Sequence, residues 1–569
     1  MRVLYTELMA ISANQEELQK RITSIQRAAE ERDAERRAKR LKIPYVDLRK
    51  TPVSIEAVKL ISKEEAMAGK MVAVQLKVRE LAIVCYEPSL PETVAILERL
   101  KADEYTGKLF IASLSGITET WHYYDFVTPE AKGITGKVEI KAQEGGTGAT
   151  ASGSVKSVED KLKNTDYKSV STTDVLEVLL AGALATRASD IHFEAEEKDA
   201  RIRYRVDGVL HDIASDFPLK NYTAVVGRIK LLSNLKMNVH GEAQDGRFTI
   251  AVGAKDVEVR VSVIPSEFGE TIVMRILDPD AINVKLTDLG LRPDDLALVE
   301  KELAKPNGLI LNTGPTGSGK TTTLYAFLKS QVTPEIKIIT VEDPIEYRID
   351  GIEQTQVNNE VGYTFAKGLR AIVRQDPDVI LIGEIRDLET ADIALEASLT
   401  GHMVLSTLHT NDAVGAVPRL IDVGVKPEVI GPGLSLVIAQ RLVRKLCDKC
   451  KRPVTITPEL NGKIKKFLDG LPPRVDRAPY AKPQIFEPVG CETCNTFGYR
   501  GRRAAFEFFQ GGPELEALIL KEASAIALNE LAKKQQMVRM QEDGVLKVLA
   551  GITTFLEVES VTGAIEWLK

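Results

Sequence analysis

Three features of the 569-residue sequence predict an α/β protein of several domains. A glycine-rich loop stands between an apolar run and a helix-like run at 308–328. Three later strand-like runs, at 337–341, 378–383 and 402–408, each end in acidic or histidine side chains, as strands of a parallel α/β sheet do beside a ligand. Two C-x-x-C pairs, Cys447/Cys450 and Cys491/Cys494, follow with forty residues between them.

At roughly 100–200 residues per domain, the length corresponds to about three or four domains. Apolar residues make up 44% and charged residues 27%. That is an ordinary globular composition, and it sets aside collagen-like, mucin-like and wholly disordered chains. The formal net charge of −6 gives no reason to expect a nucleic-acid partner. No apolar run reaches the ~18 residues that span a bilayer. The best, Val175–Ala185, is short and contains Glu177. The first residues, Met1-Arg-Val-Leu-Tyr-Thr-Glu-Leu8, lack the basic-then-apolar layout of a signal peptide. With only five cysteines the chain is no disulfide scaffold, and a cytoplasmic location is expected.

Along the chain, residues 1–42 read as a charged helical arm, with Leu18, Ile22 and Ile25 at helical spacing, either solvated or open to a partner. A first α/β domain is expected over 43–142, with strand-like runs at Val72–Leu76, Glu80–Cys85 and Lys108–Ala112 and a helix near Leu90–Ala102. Nothing in it looks catalytic, and Cys85 reads as a buried thiol. A flexible linker follows at 143–159, because Gly145–Ser154 has no apolar side chains with which to build a core. It lets the first domain move relative to the rest. The unit 160–280 begins with a helix at about Thr172–Thr186 and continues in alternating strands at Ala200–Val206, Gly246–Ile250, Val257–Val263 and Glu270–Ile276. Its polar face carries Arg201, Arg203, Arg205, Arg260 and Arg275, either simply solvated or waiting for an anion. The last unit, 281–569, holds the glycine loop and a cysteine-bearing subdomain at about 445–500.

Gly314-Pro315-Thr316-Gly317-Ser318-Gly319-Lys320-Thr321-Thr322 satisfies G-x-x-x-x-G-K-[ST] between a strand and a helix. Its backbone N–H groups and the helix N-terminus suit phosphate oxygens. Lys320 should reach the β/γ-phosphates, and the Thr321 hydroxyl should bind Mg2+. Glu384 stands where a Walker-B carboxylate would, to hold the Mg2+ shell or orient water. Glu342 is a second candidate for activating that water, and His409 a candidate sensor of the γ-phosphate. Cys447, Cys450, Cys491 and Cys494 fit a closed structural zinc site of four thiolates, with a redox C-x-x-C pair as the rival. Zinc would staple an insertion with too little apolar content to fold alone.

These stretches resemble the type IV pilus assembly and type II secretion ATPase family, specifically over about 170–560 and weakly over 43–140. The motifs are Arg187-Ala-Ser-Asp-Ile-His-Phe-Glu194, Arg203–Leu210, Gln244-Asp-Gly-Arg-Phe248, the glycine loop, Thr340–Tyr347, Arg374–Asp387, Thr400–Asp412 and Gln440–Cys447. The resemblance implies a RecA-like P-loop ATPase domain using ATP and Mg2+, with a PAS-like α+β domain before it. It also implies a homo-hexameric ring that drives filament assembly through an inner-membrane platform protein, meeting the membrane only through partners. Arg260 and Arg275 match the family's arginine fingers, which reach a neighbour's γ-phosphate, and Arg441 and Arg444 are placed near the same nucleotide. The four cysteines match the assembly and secretion branch. Some relatives bind cyclic di-GMP through a Leu/Gly/Gln-patterned module; residues 1–45 do not follow that pattern, so this ligand is not expected. The rival functions are a nucleotide-responsive scaffold with little turnover and a nucleic-acid motor, the latter disfavoured by acidic charge and only 5% aromatic residues.

Overall fold

The computed structural model describes residues 26–77, 79–103, 105–126, 136–140, 154–167, 169–253, 255–282, 284–521 and 524–568. Leu18, Ile22, Ile25 and most of the expected glycine-rich linker lie outside them.

The first sheet runs Met71–Lys77, Glu80–Cys85, Thr106–Ile111, antiparallel and then parallel. Cys85 is fully buried in it, and burial pushes its thiol up to about 12. In its described part the arm is a largely exposed helix that packs one face on the first domain. Residues 26–41 are helical, with Ala34 and Ala38 buried against this domain. Glu31 accepts hydrogen bonds from Tyr45 and Ser113 at 2.8 Å, and the Arg37 guanidinium lies 3.8 Å from the centre of the Tyr86 ring.

The second sheet has seven strands in the order Lys137–Ile140, Gln244–Val252, Lys255–Ser266, Gly269–Leu277, Ala188–Ala195, Ala200–Val206, Val209–Phe217. Strict alternation of buried and half-exposed residues along Ala200–Val206 shows one apolar and one polar face. Helices Val155–Lys163, Thr172–Thr186 and Leu219–Leu232 share the core of the apolar face. Two boundaries differ from the sequence reading. Lys137–Ile140, given to the first domain, pairs in parallel with Gln244–Val252, and the expected linker contains the start of helix Val155–Lys163. Four residues of alternating Val and Ile are too short a signal to reveal which sheet they join. The first two domains also share a packed seam. Leu231 and Met237 join the first domain's core, Asn238 donates to Leu48 O and Thr51 O, and its side-chain oxygen accepts from Val53 N.

The third sheet has the order Glu353–Gln356, Ile338–Glu342, Val379–Ile382, Met403–Leu408, Gly308–Thr313, Leu434–Leu446, Tyr499–Gln510. All neighbours are parallel except the last pair. Gly308–Thr313 and Met403–Leu408 are buried at every residue, their polar members Asn312, Thr313, Ser406 and Thr407 included, and Val379–Ile382 between its neighbours is buried and apolar throughout. This RecA-like order brings the carboxyl ends of four strands to one edge. The cysteine subdomain leaves between the last two strands. Its helix Pro458–Gly470 packs through Ile464 and Phe467 on the C-terminal helices Met540–Leu549 and Phe555–Thr562 and on Trp567.

A buried ionic cluster joins the segment leading into this domain to its C-terminal helices. Asp543 accepts from Arg292 Nη1 at 2.6 Å, from the Phe506 amide at 2.9 Å and from Lys547. Arg474 from the cysteine subdomain reaches Asp294 and Asp295. Burial opposes ionisation of Asp543, but Lys547 and Arg292 outweigh it and hold its pKa below the usual carboxylate range. Asp543→Ala strips the buried Lys547 of its carboxylate and leaves Arg292 with Asp294 and Asp295 alone, and chemical denaturation should show a loss of about 3–5 kcal/mol. Because the folded pKa is depressed, the wild-type contribution persists at neutral pH. It is lost as pH falls through that depressed value, so the deficit of the variant should shrink in acid.

Candidate nucleotide site and cysteine cluster

Strand Gly308–Thr313 opens into the loop Gly314–Gly319, and helix Lys320–Gln331 begins directly after it. Gly314 and Gly319 adopt φ of 149° and 90°. A Cβ on Gly314 would stand 2.8 Å from Gln440 O, so the loop needs glycine for both conformation and space. Pro315, Thr316, Gly317 and Thr321 are exposed at the sheet edge, Thr322 is half-buried, and Ser318 is buried beneath the loop. Lys320 Nζ donates to Gly314 O at 2.7 Å and to Pro315 O at 3.2 Å, so it already lies along the cradle. Burial lowers its pKa, Glu384 opposes that shift and Arg441 adds to it. A group so placed gains most when an anion arrives.

Gln440 was missed as a site residue. Fully buried, it accepts from Asn312 Nδ2 at 2.8 Å and donates to Ser318 O at 2.7 Å, clasping strand and loop together. A lone glutamine inside the apolar run Leu434–Leu446 was the available signal.

Glu384 follows strand Val379–Ile382 and is held by Arg386 and by His409 Nε2 at 3.4 Å. His409 follows the neighbouring strand Met403–Leu408 and is half-exposed. The structure therefore brings Glu384 and His409 together. Glu342 differs: it is 4% exposed, and its carboxylate accepts from Thr340 Oγ1 at 2.6 Å, Gln354 Nε2 at 3.1 Å and the Tyr325 hydroxyl. Burial raises its pKa, and these hydrogen bonds pull the other way. Its lone pairs are committed within the protein.

Arg260 and Arg275 extend from the polar face of the second sheet toward the segment after Glu342 in the same chain. Arg260 Nη1 donates to Glu346 Oε2 at 3.1 Å, and Nη2 donates to Ile345 O. Arg275 Nε donates to Asp190 Oδ1 at 3.0 Å. Burial works against the Arg275 charge, but Asp190 more than compensates and raises its pKa. Within one chain both guanidinium groups therefore have partners, Arg260 in the segment after Glu342 and Arg275 on its own sheet.

Arg441 lies beside Gly314, donating to Gln440 O and Asn411 O at 3.0 Å, and burial lowers its pKa. Arg444 does not join the nucleotide site. Glu557 takes its Nε at 3.0 Å and Nη2 at 2.6 Å, and its guanidinium lies 4.3 Å from the centre of the Tyr499 ring. Alternation along the strand turns it to the C-terminal helices, and Glu557, 113 residues away in sequence, was not visible as its partner.

The four cysteines converge with no disulfide among them. Sγ separations are 3.9 Å for Cys447–Cys491, 3.7 Å for Cys450–Cys494 and 3.8 Å for Cys491–Cys494. A regular tetrahedron with Zn–S bonds of about 2.3 Å places sulfurs about 3.8 Å apart. Backbone N–H groups of Gly490, Cys491 and Gly498 point at Sγ of Cys450, Cys494 and Cys494, which favours thiolates. The donor set fits a closed zinc site. Elemental analysis of the purified chain should find about one zinc per molecule, and Cys450→Ser with Cys494→Ser should remove it and lower the melting temperature.

Four similarities bear on this geometry. The family model described as "Type II/IV secretion system protein" matches residues 164–560. The chain is 38% identical over 528 residues to the type IV pilus assembly ATPase PilB of Myxococcus xanthus (strain DK1622), covering 92% of this chain and 89% of that one. It is 45% identical over 405 residues to the type II secretion system ATPase E of Vibrio cholerae serotype O1 (strain ATCC 39315 / El Tor Inaba N16961), covering 71% and 77%. Among solved structures, the Yersinia pseudotuberculosis ATPase DotB shares the fold with a TM-score of 0.51 at 20% identity, over 70% of this chain and 96% of that one.

Proposed function

The chain belongs to the type II/IV secretion system protein family and is an ATP hydrolase, and from that premise we propose that it is the homo-hexameric motor of a filament-building machine. In this reading it assembles a type IV pilus or a type II secretion pseudopilus through a platform protein of the inner membrane. The observation that carries the reading is the sharing of one sheet edge by the loop of Lys320, the Glu384–His409 pair and the arginines of a separate domain. Chemistry at such a junction moves one domain against another. Among the described residues no helix is long and apolar enough to cross a membrane, which agrees with docking through partners.

In the proposed site the amides of Gly314–Thr322 wrap the β- and γ-phosphates of ATP, and Lys320 exchanges two backbone carbonyls for phosphate oxygens. Thr321 would hold Mg2+, which supplies neutralisation of phosphate charge. Glu384 is the proposed base or water-orienting carboxylate, because Arg386 and His409 can yield at the exposed edge. His409 then reports the state of the γ-phosphate to Glu384. Glu342 is proposed to anchor its strand to Tyr325 instead of activating water. Arg260 and Arg275 are proposed to stabilise the γ-phosphate of their own chain's nucleotide, a reading supported by the Glu346 contact. Arg441 closes the other side of the loop.

Specific ATPase activity should rise with protein concentration as rings form. Lys320→Ala should abolish turnover, and Arg275→Ala should lower kcat by about 10³-fold or more with ring formation intact. Mixed rings of the two variants decide where the arginine acts. Action within one chain predicts no recovery on mixing, whereas action on a neighbour would restore a substantial fraction. Activity indifferent to concentration and to Arg275 would sink the motor reading.

A further inference from the structure

The arginines of the second sheet stand in one cross-strand row. Arg247 faces Arg260, Arg260 faces Arg275, Arg275 faces Asp190, and Asp190 faces Arg205. Like charges directly opposite one another are unfavourable in a sheet, so one carboxylate among four guanidinium groups needs a reason. Asp190 is 6% exposed. Its Oδ2 accepts from the Ser189 hydroxyl at 2.8 Å and lies 3.7 Å from Arg205 Nε, while Oδ1 accepts from Arg275 Nε at 3.0 Å.

The two candidate phosphate-binding arginines are gripped differently. Arg260 is held at both terminal nitrogens, by Glu346 and by Ile345 O, so its fork is occupied. Arg275 is held only at Nε, from behind, and its side chain is 53% exposed. A guanidinium fixed at Nε still presents both Nη groups in the planar fork that matches two phosphate oxygens.

We propose that Asp190 is the positioning residue of Arg275, gripping its Nε from a buried position on the sheet so that the two Nη groups stand aimed at the γ-phosphate before ATP binds. This rests on the reading of Arg275 as a phosphate ligand. Asp190 touches neither substrate nor reacting atoms, and acts only through the arginine. Precise placement of such a group matters, since a misplacement of about 1 Å costs on the order of 10²-fold in rate. Asp190 also keeps Arg205 from repelling Arg275 out of line.

The test uses the full-length protein and a double-mutant cycle of Asp190→Asn and Arg275→Ala, reading kcat together with ADP and ATPγS affinity by calorimetry. Asp190→Asn keeps the shape of the side chain and removes the charge. It should lower kcat about tenfold and weaken ATPγS, while ADP affinity stays within about twofold, because ADP has no γ-phosphate. In the Arg275→Ala background the same change should have no further effect, the signature of residues acting as a unit. Asp190→Ala, checked for melting temperature and ring assembly, should approach Arg275→Ala in kcat. Wild-type behaviour of Asp190→Asn beside an impaired Arg275→Ala would overturn the proposal, as would a loss that adds fully to that of Arg275→Ala. A harmless Arg275→Ala would instead remove the arginine reading on which it rests, so the two failures are distinguishable.

Discussion

A loop of backbone N–H groups binds phosphate only if something holds it open, and here that constraint falls on the buried amide of Gln440. Its oxygen takes Asn312 on the strand and its nitrogen takes Ser318 O in the loop, so one side chain sets the distance between them. A buried amide in low dielectric is costly unless satisfied, and this one is satisfied at both ends. The glycines then follow as a consequence: Gly314 and Gly319 pass so near Gln440 that a side chain there would collide with it. Lys320, Arg441 and the Thr313–Thr410 contact are arranged around this fixed loop.

The site is internally neutralised. Lys320 sits on carbonyls, Arg260 on Glu346, Arg275 on Asp190, and Glu384 between Arg386 and His409. In the proposed reading the carbonyls under Lys320, Glu346 and the partners of Glu384 stand where a substrate group or water replaces them, whereas Asp190 keeps its hold on Arg275 Nε. Binding then exchanges partners in place of burying bare charge, which lowers the desolvation cost of closing two domains on a nucleotide. The exchange also links chemistry to motion. Arg260 belongs to the second sheet and Glu346 to the loop after strand Ile338–Glu342 of the third, so releasing one from the other loosens a contact between the two domains.

Much of this architecture was legible in the sequence because burial on both faces leaves an uninterrupted apolar run and burial on one face leaves alternation. Val379–Ile382 and Ala200–Val206 are examples of the two patterns. Glycine spacing revealed the loop, and paired C-x-x-C units revealed a sulfur cluster whose separations suit zinc. What the sequence hid was partner identity. Arg441 and Arg444 look alike on one strand, yet Glu557 draws the second away. Glu342 and Glu384 both end strands, yet Tyr325, Thr340 and Gln354 close over only the first. The arm read as polar because its packed contacts use alanines and the guanidinium of Arg37, which carry little hydrophobic signal. These are pairings of particular side chains, some of them far apart in sequence, and periodicity carries no information about them.

The cysteine cluster is also more than a staple for its own insertion. Asn495, next to Cys494, accepts from the Val155 amide at the start of a helix in the second domain. Phe497 stacks on His211 of that domain with ring centres 3.8 Å apart, and the Gly501 amide donates to Asp207 at 2.7 Å. Cys494 Sγ meanwhile accepts from Gly498, so the turn that presents Phe497 is shaped by the sulfur itself. A metal that fixes the four sulfurs therefore also fixes the surface against which the arginine-bearing domain rests. That domain is held at one end by the cysteine turn and at the other by the Arg260–Glu346 contact. The second contact is a half-buried ion pair between side chains, while the first is backbone-bonded and stacked. In the proposed reading, motion between the domains hinges near Phe497 and opens near Glu346, on the side to which that reading assigns the phosphates.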